Sequence, residues 1–342
     1  MNPAFDYLPM NASRMIPIVA ITFVLVMSFL FSCNKNYPIP DDIIKAQALM
    51  LERPDSALLI LEGMKGVEHL PAKLKATYNL CLIEARDKNY IVHTSDSLIN
   101  TVVAFFEKED DPLMKAKAYY YQGRVNKDLQ NSEKAAFAFK KAETFVNETS
   151  DYRLKALICT QMGGVFHYQR LFNDAIVWHE KAKDALLLAG DSVSISYILR
   201  DIASAYSNLK EYDKSLSLFN DAYKVADANN QLSVASNILY DIALMYIQRQ
   251  MQDSVIVYMK KALLKDSALV NFEGTCLTLA DEYRKINKLD SARYYLSRCA
   301  NSNSLFTKAG YYYFLANIEE DAGNYKKSLD AYKISYNYQD SI

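Results

Sequence analysis

Residues 201–228 read DIASAYSNLKEYDKSLSLFNDAYKVADA and divide into two helix-length segments around a polar turn. In the first segment Tyr206 follows Ala203 by three residues. In the second, Ser215, Phe219 and Ala222 recur at intervals of four and three. These intervals put each set on one face of an α-helix. Two antiparallel helices approach closely only where both offer small side chains. Ala203 therefore marks a contact with the Ser215–Ala222 face, while Tyr206 and Phe219 fill the space between one helix pair and the next.

The same pattern repeats outward from Ala203. Small residues that can anchor a first helix stand at Gly123, Gly163, Ala203, Ala243, Ala280 and Ala316, spaced 40, 40, 40, 37 and 36 residues apart. Sixteen positions after them come Phe139, His179, Phe219, Met259, Leu296 and Tyr332, and nineteen after them Ala142, Ala182, Ala222, Ala262, Cys299 and Ser335. Self-similarity at a fixed period of this length is the mark of a helical-repeat solenoid. Tyr212-Asp213, Leu289-Asp290 and Asn324-Tyr325 mark the turns within units, with Asp or Asn expected to start the second helix.

The pattern resembles the tetratricopeptide repeat, most closely in Ile202-Ala203-x₂-Tyr206 with Ser215-x₃-Phe219-x₂-Ala222. The resemblance implies an all-α, right-handed superhelical solenoid. The family's unit-closing proline is absent, since all eight prolines lie at or before Pro112 and the connections beyond it use Asn, Asp, Gly and Ser. Units longer than the family's usual length point to longer second helices or wider connections. Two weaker units precede the six, one from Asp41 to Met64 with Pro54-Asp55 opening a helix, the other Lys73 to Arg86 followed by Ser97 to Lys108. The expectation is about eight antiparallel hairpins in one array over residues 41–342, after a short linker at 34–40.

Residues 1–33 differ from the rest. Met15 to Cys33 holds no charged side chain and follows Arg14, which suits a secretory signal or an anchor helix. Leu30-Phe31-Ser32-Cys33 resembles a bacterial lipobox, which implies cleavage before Cys33 and its acylation. Because Asn34 and not aspartate follows, the resemblance favours an outer-membrane position on the periplasmic face. A retained membrane helix is the alternative. The remaining cysteines, Cys81, Cys159, Cys276 and Cys299, fall on core-facing repeat positions and are expected to act as small hydrophobes, with Cys276 and Cys299 sharing one hairpin.

Basic and acidic side chains number 39 and 40, for a formal charge of −1, so nothing in the bulk charge calls for nucleic acid. No phosphate loop, paired-cysteine spacing, His-Glu-x₂-His or Gly-x-Ser-x-Gly occurs in the sequence. The expectation is a protein that is not an enzyme and needs no cofactor or metal. His167 and His179 share a hairpin but have no carboxylate or cysteine at helical spacing to complete a metal site.

In the tetratricopeptide family the first helix of each hairpin lines a concave groove. By register the groove candidates here are Lys75, Tyr78, Arg86, Lys117, Tyr120, Arg124, Lys127, His167, Tyr168, Tyr197, Arg200, Tyr240 and Arg284, with Asn208, Gln248, Asp281, Lys285 and Tyr313 beside them. Tyrosine and arginine are favoured at binding hot spots. The stretch from Lys75 to Arg200 is basic apart from Asp128, so an acidic or carboxylate-bearing ligand is expected. The sequence thus points to a membrane-anchored scaffold that holds a peptide or protein. A sensory module of an envelope signalling system is one alternative, and a glycan-binding lipoprotein using Tyr120 or Tyr240 as a platform is another. The last helix keeps Leu329, Tyr332, Ile334 and Tyr336 without an evident polar cap, from which self-association through the C-terminal hairpin is a further expectation.

Overall fold

The computed structural model describes residues 37–266 and 271–342. The N-terminal signal or anchor, Cys33 included, lies outside them. Among the described residues there are sixteen α-helices and no strand. No helix among them is long and apolar enough to cross a membrane. The chain falls into two compact units, one ending at Ala85 and the other running from Arg86 to Ile342.

In the first unit α1 (Asp41–Leu49) and α2 (Pro54–Gly63) form the expected first hairpin, with Pro54 at the opening of α2, where its missing N–H costs nothing. Ile43, Ala46, Ala57 and Leu61 form a core with Tyr78, Cys81 and Ala85 of α3 (Ala72–Lys88). Helices α3 and α4 (Ser97–Phe106) occupy the spans read for the second hairpin.

The second unit continues with six hairpins. They are α5 (Pro112–Asp128) with α6 (Ser132–Val146), α7 (Tyr152–Tyr168) with α8 (Phe172–Leu188), and α9 (Ile195–Asn208) with α10 (Tyr212–Ala228). Then follow α11 (Leu232–Gln248) with α12 (Gln252–Lys265), α13 (Phe272–Lys285) with α14 (Leu289–Ser297), and α15 (Leu305–Asp321) with α16 (Tyr325–Gln339). The changing repeat period is absorbed by the second helices. α8 and α10, in the 40-residue units, have 17 residues, whereas α14, in the 36-residue unit, has nine.

Each hairpin closes on its small residues. Ala142, Ala182, Ala222 and Ala262 are fully buried. Gly123 admits the ring of Phe139 so closely that a Cβ there would lie 2.3 Å from Cε1. In the 201–228 unit the Ser215 hydroxyl donates to the Ala203 carbonyl at 2.8 Å, fastening the two helices where their backbones are nearest. Such a bond satisfies a buried hydroxyl that would otherwise cost free energy.

The turn within each hairpin is the same in all six units. Gln130, Arg170, Lys210, Gln250, Asn287 and Gly323, each seven residues after its anchor, have φ between 55° and 77°. The next residue's N–H then reaches back to the carbonyl three after the anchor, as in Leu171 to Phe166 and Glu211 to Tyr206 at 2.9 Å. This is the left-handed helix stop that ties off the last free carbonyls. Asp213 and Asp290 do not cap the second helices as the sequence suggested. They sit inside the first turn, where a negative charge still favours the helix N-terminus, while Glu211 and Lys288 occupy the cap positions without a side-chain bond.

Candidate ligand groove

Lys75 is exposed on α3 in the first unit, but Tyr78 is not a groove residue. Its ring is buried and its hydroxyl donates to the Leu61 carbonyl at 3.0 Å, because it closes the core of the first hairpin. Tyr120 in the second unit is likewise a core side chain. It is 5% exposed and packs edge-on to Tyr121 and against Phe139, the ring that Gly123 lets in. Tyr120 therefore offers no stacking platform, whereas Tyr240 is half-buried and its hydroxyl accepts from the Asn271 amide at 2.7 Å.

The other candidates belong to the second unit. Arg86 and Lys117 are half-buried. The arginines that made the groove look basic are spoken for by carboxylates on neighbouring hairpins. Arg124 on α5 donates to Asp87 at 2.8 Å, Arg200 on α9 pairs with Asp241 on α11, and Arg284 on α13 meets Asp321 on α15 as well as Asp281 of its own helix. Although burial works against it, Asp87 and Tyr120 hold the Arg124 guanidinium above its usual pKa, and Asp241 does the same for Arg200. These pairs join successive first helices and leave little net charge. Asp128, the exception in the sequence reading, turns to His93, accepting from its backbone N–H at 2.9 Å and its Nδ1 at 2.7 Å.

Lys127 is different. Its ammonium donates to the Gln161 side-chain oxygen at 2.8 Å, and Arg124 reaches the same oxygen at 3.3 Å. Burial first, and Arg124 second, hold its pKa below the usual lysine value, so the positive charge is only partly compensated there. A cavity of about 530 Å³ opens beside it, lined by Lys127, Gln130, Ser132, Gly164, Val165 and Tyr168. Gly164 leaves the floor open, with nothing within 4 Å of where a Cβ would stand, and Tyr168 is 83% exposed at the rim. His167 turns aside, its ring edge-on to Phe172 at 5.2 Å, and burial holds its pKa below the usual value. Tyr197 is 46% exposed farther along.

Sequence reasoning missed Gln161, Asp201 and Asp241. All three stand two residues before their anchors, so one register position was the signal: in Gln161 and Asp241 it carries the polar group that meets the preceding hairpin, and in Asp201 a carboxyl buried beside Arg200 and Asp241. The arrangement offers a cation, amide groups, open backbone and an exposed phenol, which is binding chemistry.

No family model and no curated protein matches the chain. Solved structures do. The apo form of RapI superposes with a TM-score of 0.66 over 87% of this chain and 96% of its own, at 13% identity. NprR in complex with its cognate peptide NprX gives 0.58 over 86% and 88%, at 15% identity. A signal-transduction ATPase with a tetratricopeptide repeat sensor, from Pyrococcus horikoshii, gives 0.62 over 96% of this chain and 53% of that one, at 17% identity. Together with six hairpins built on one register, these likenesses establish the fold as that of a tetratricopeptide-type helical repeat.

Proposed function

We propose that the chain is a peptide- or protein-binding scaffold and that the cavity beside Lys127 is where the ligand is anchored. The observation that carries this reading is the Lys127 ammonium, held by the neutral Gln161 amide at the mouth of an open cavity floored by Gly164. A ligand carboxylate would complete that site by pairing with the ammonium, while Tyr168 supplies contact area. Two fold neighbours, Rap with Competence and Sporulation Factor and NprR with NprX, were solved with peptides bound, which supports a peptide as the ligand class.

The proposal places the scaffold at the bacterial envelope, tethered through an acylated Cys33 or a retained helix, with self-association through the exposed Leu329 and Tyr336 of α16 as part of it. Arg124 and Arg200 are tied into ion pairs between hairpins, so the informative variant is Lys127→Glu with Tyr168→Ala. Peptides selected from a random display library on the wild-type protein should carry a carboxylate and bind this variant at least tenfold more weakly, with helicity unchanged. Equal affinity for both proteins would place the binding surface elsewhere. Mass spectrometry of the mature N-terminus, with Cys33→Ser as control, tests the anchor.

A further inference from the structure

We infer that Cys276 and Cys299 are a reversible dithiol–disulfide site that cross-links the α13/α14 hairpin. Cys276 stands four residues before the Ala280 anchor and Cys299 nineteen after it. In the preceding hairpin these two register positions are held by Leu239 and Ala262, which pack together as one buried cluster. The second position is alanine in four of the six units because the helices are nearest there, and Cys276/Cys299 is the one unit with sulfur at both. Both side chains are buried, 0% and 2% exposed, in a single cluster with Leu277, Ala280, Ala292, Leu296 and Ile318.

The neighbouring Cys299 thiol holds Cys276 below the ordinary thiol pKa, and Cys276 together with burial holds Cys299 above it. The Cys299 thiol also lies 3.5 Å from the Glu273 carbonyl. Reagent reaches the pair through the shortest second helix of the array. α14 ends at Ser297, and Cys299 sits two residues beyond it, flanked by exposed Arg298 and Ala300, so opening this end breaks few contacts. Cys159 faces Ala182 at the corresponding position, and Cys81 packs in the core of the first unit, its sulfur accepting from the Gln47 side chain at 3.4 Å, so among the described residues neither has a sulfur to pair with.

The oxidant is a small-molecule or protein disulfide. The Cys276 thiolate attacks one sulfur of that disulfide and expels the other as a thiolate. Cys299 then gives up its proton, and its thiolate attacks the Cys276 sulfur and releases the second thiolate. Two protein thiols are oxidised, one disulfide is reduced, and the two protons pass to the released thiolates.

The test equilibrates the full chain in buffers of oxidised and reduced glutathione, alkylates it under denaturing conditions and maps every cysteine, Cys33 included. The expected result is joint loss of Cys276 and Cys299 at one midpoint, a peptide linked 276–299, and Cys81 and Cys159 still alkylated. The melting temperature of the wild type should rise on oxidation, while Cys276→Ala and Cys299→Ala should show no redox-dependent shift. Alkylation of both thiols at every ratio, or trapping of Cys276 as a lasting glutathione adduct, would overturn the inference.

Discussion

Gly163 lies directly beneath the His179 ring, so close that a Cβ on the glycine would stand 2.5 Å from the imidazole Cε1. The same contact recurs one unit earlier between Gly123 and Phe139, which shows that the histidine occupies an aromatic packing position. Gly163→Ala must push the second helix away from the first and is expected to cost about 1–3 kcal/mol in urea denaturation. Gly164→Ala, one residue on and facing open space, should instead stabilise by about 0.5–1 kcal/mol through helix propensity. Equal effects at the two glycines would show that close packing is not what selects Gly163.

His179 also carries a pH signature. Burial, and secondarily His167, push its pKa down from 6.5 to about 4, and its Nδ1 has no hydrogen-bond partner. The neutral ring is the folded form. Its contribution is whole above pH 6.5 and is lost as pH falls toward 4, by about 3 kcal/mol at the end of that window. His167 shifts in the same direction through burial. Urea midpoints measured from pH 7 to pH 4 should fall less steeply in His179→Phe than in the wild type, and parallel profiles would exclude the buried imidazole as the cause.

The left-handed turns make a third prediction. Lys210 is exposed and held at φ 64° by the bond from the Glu211 N–H to the Tyr206 carbonyl. A lysine there carries a steric cost that glycine does not. Lys210→Gly is expected to raise stability by about 0.5–1 kcal/mol, with Arg170→Gly as an independent repeat of the experiment. A fall in melting temperature at both sites would mean that glycine's added freedom in the unfolded chain outweighs the strain relieved.

That turn also shows where the sequence was legible. The anchors and aromatic positions could be read because packing demands a size at each, and size is visible in residue type. The turn conformation could not, since Gln130, Arg170, Lys210 and Gln250 have no preference for it and the hairpin imposes it through backbone bonds. The groove was half legible for a similar reason. Three residues before the anchor, Tyr120 is buried, Arg200 and Tyr240 are half-buried, and Tyr313 is 44% exposed. This position lies on the boundary between face and core, and the neighbour decides its fate: Phe139 draws Tyr120 inward. The arginines' partners were hidden as well, because Asp87, Asp241 and Asp321 are brought to them by stacking of hairpins and not by spacing along one helix.

Arg200 and its two carboxylates give the last prediction. The guanidinium pairs with Asp241 at 2.5 Å, while Asp201 has its pKa raised to about 6 by burial, against the pull of Arg200 and with the help of Asp241. Removing the cation in Arg200→Ala leaves two crowded carboxylates, and a loss of about 2 kcal/mol or more is expected at pH 7. For Asp201 the protonated carboxyl is the favoured folded form, so its contribution is whole below pH 3.8 and disappears as pH rises through 6. Asp201→Asn keeps the shape without the charge. It should therefore stabilise the protein at pH 7, on the order of 1–2 kcal/mol after allowance for partial exposure, and have little effect near pH 4. Thermal melts of the two variants at both pH values separate the roles. If Asp201→Asn destabilises at pH 7, the Asp201 carboxylate is a working partner of Arg200, and the Arg200–Asp241 pair alone does not hold these hairpins together.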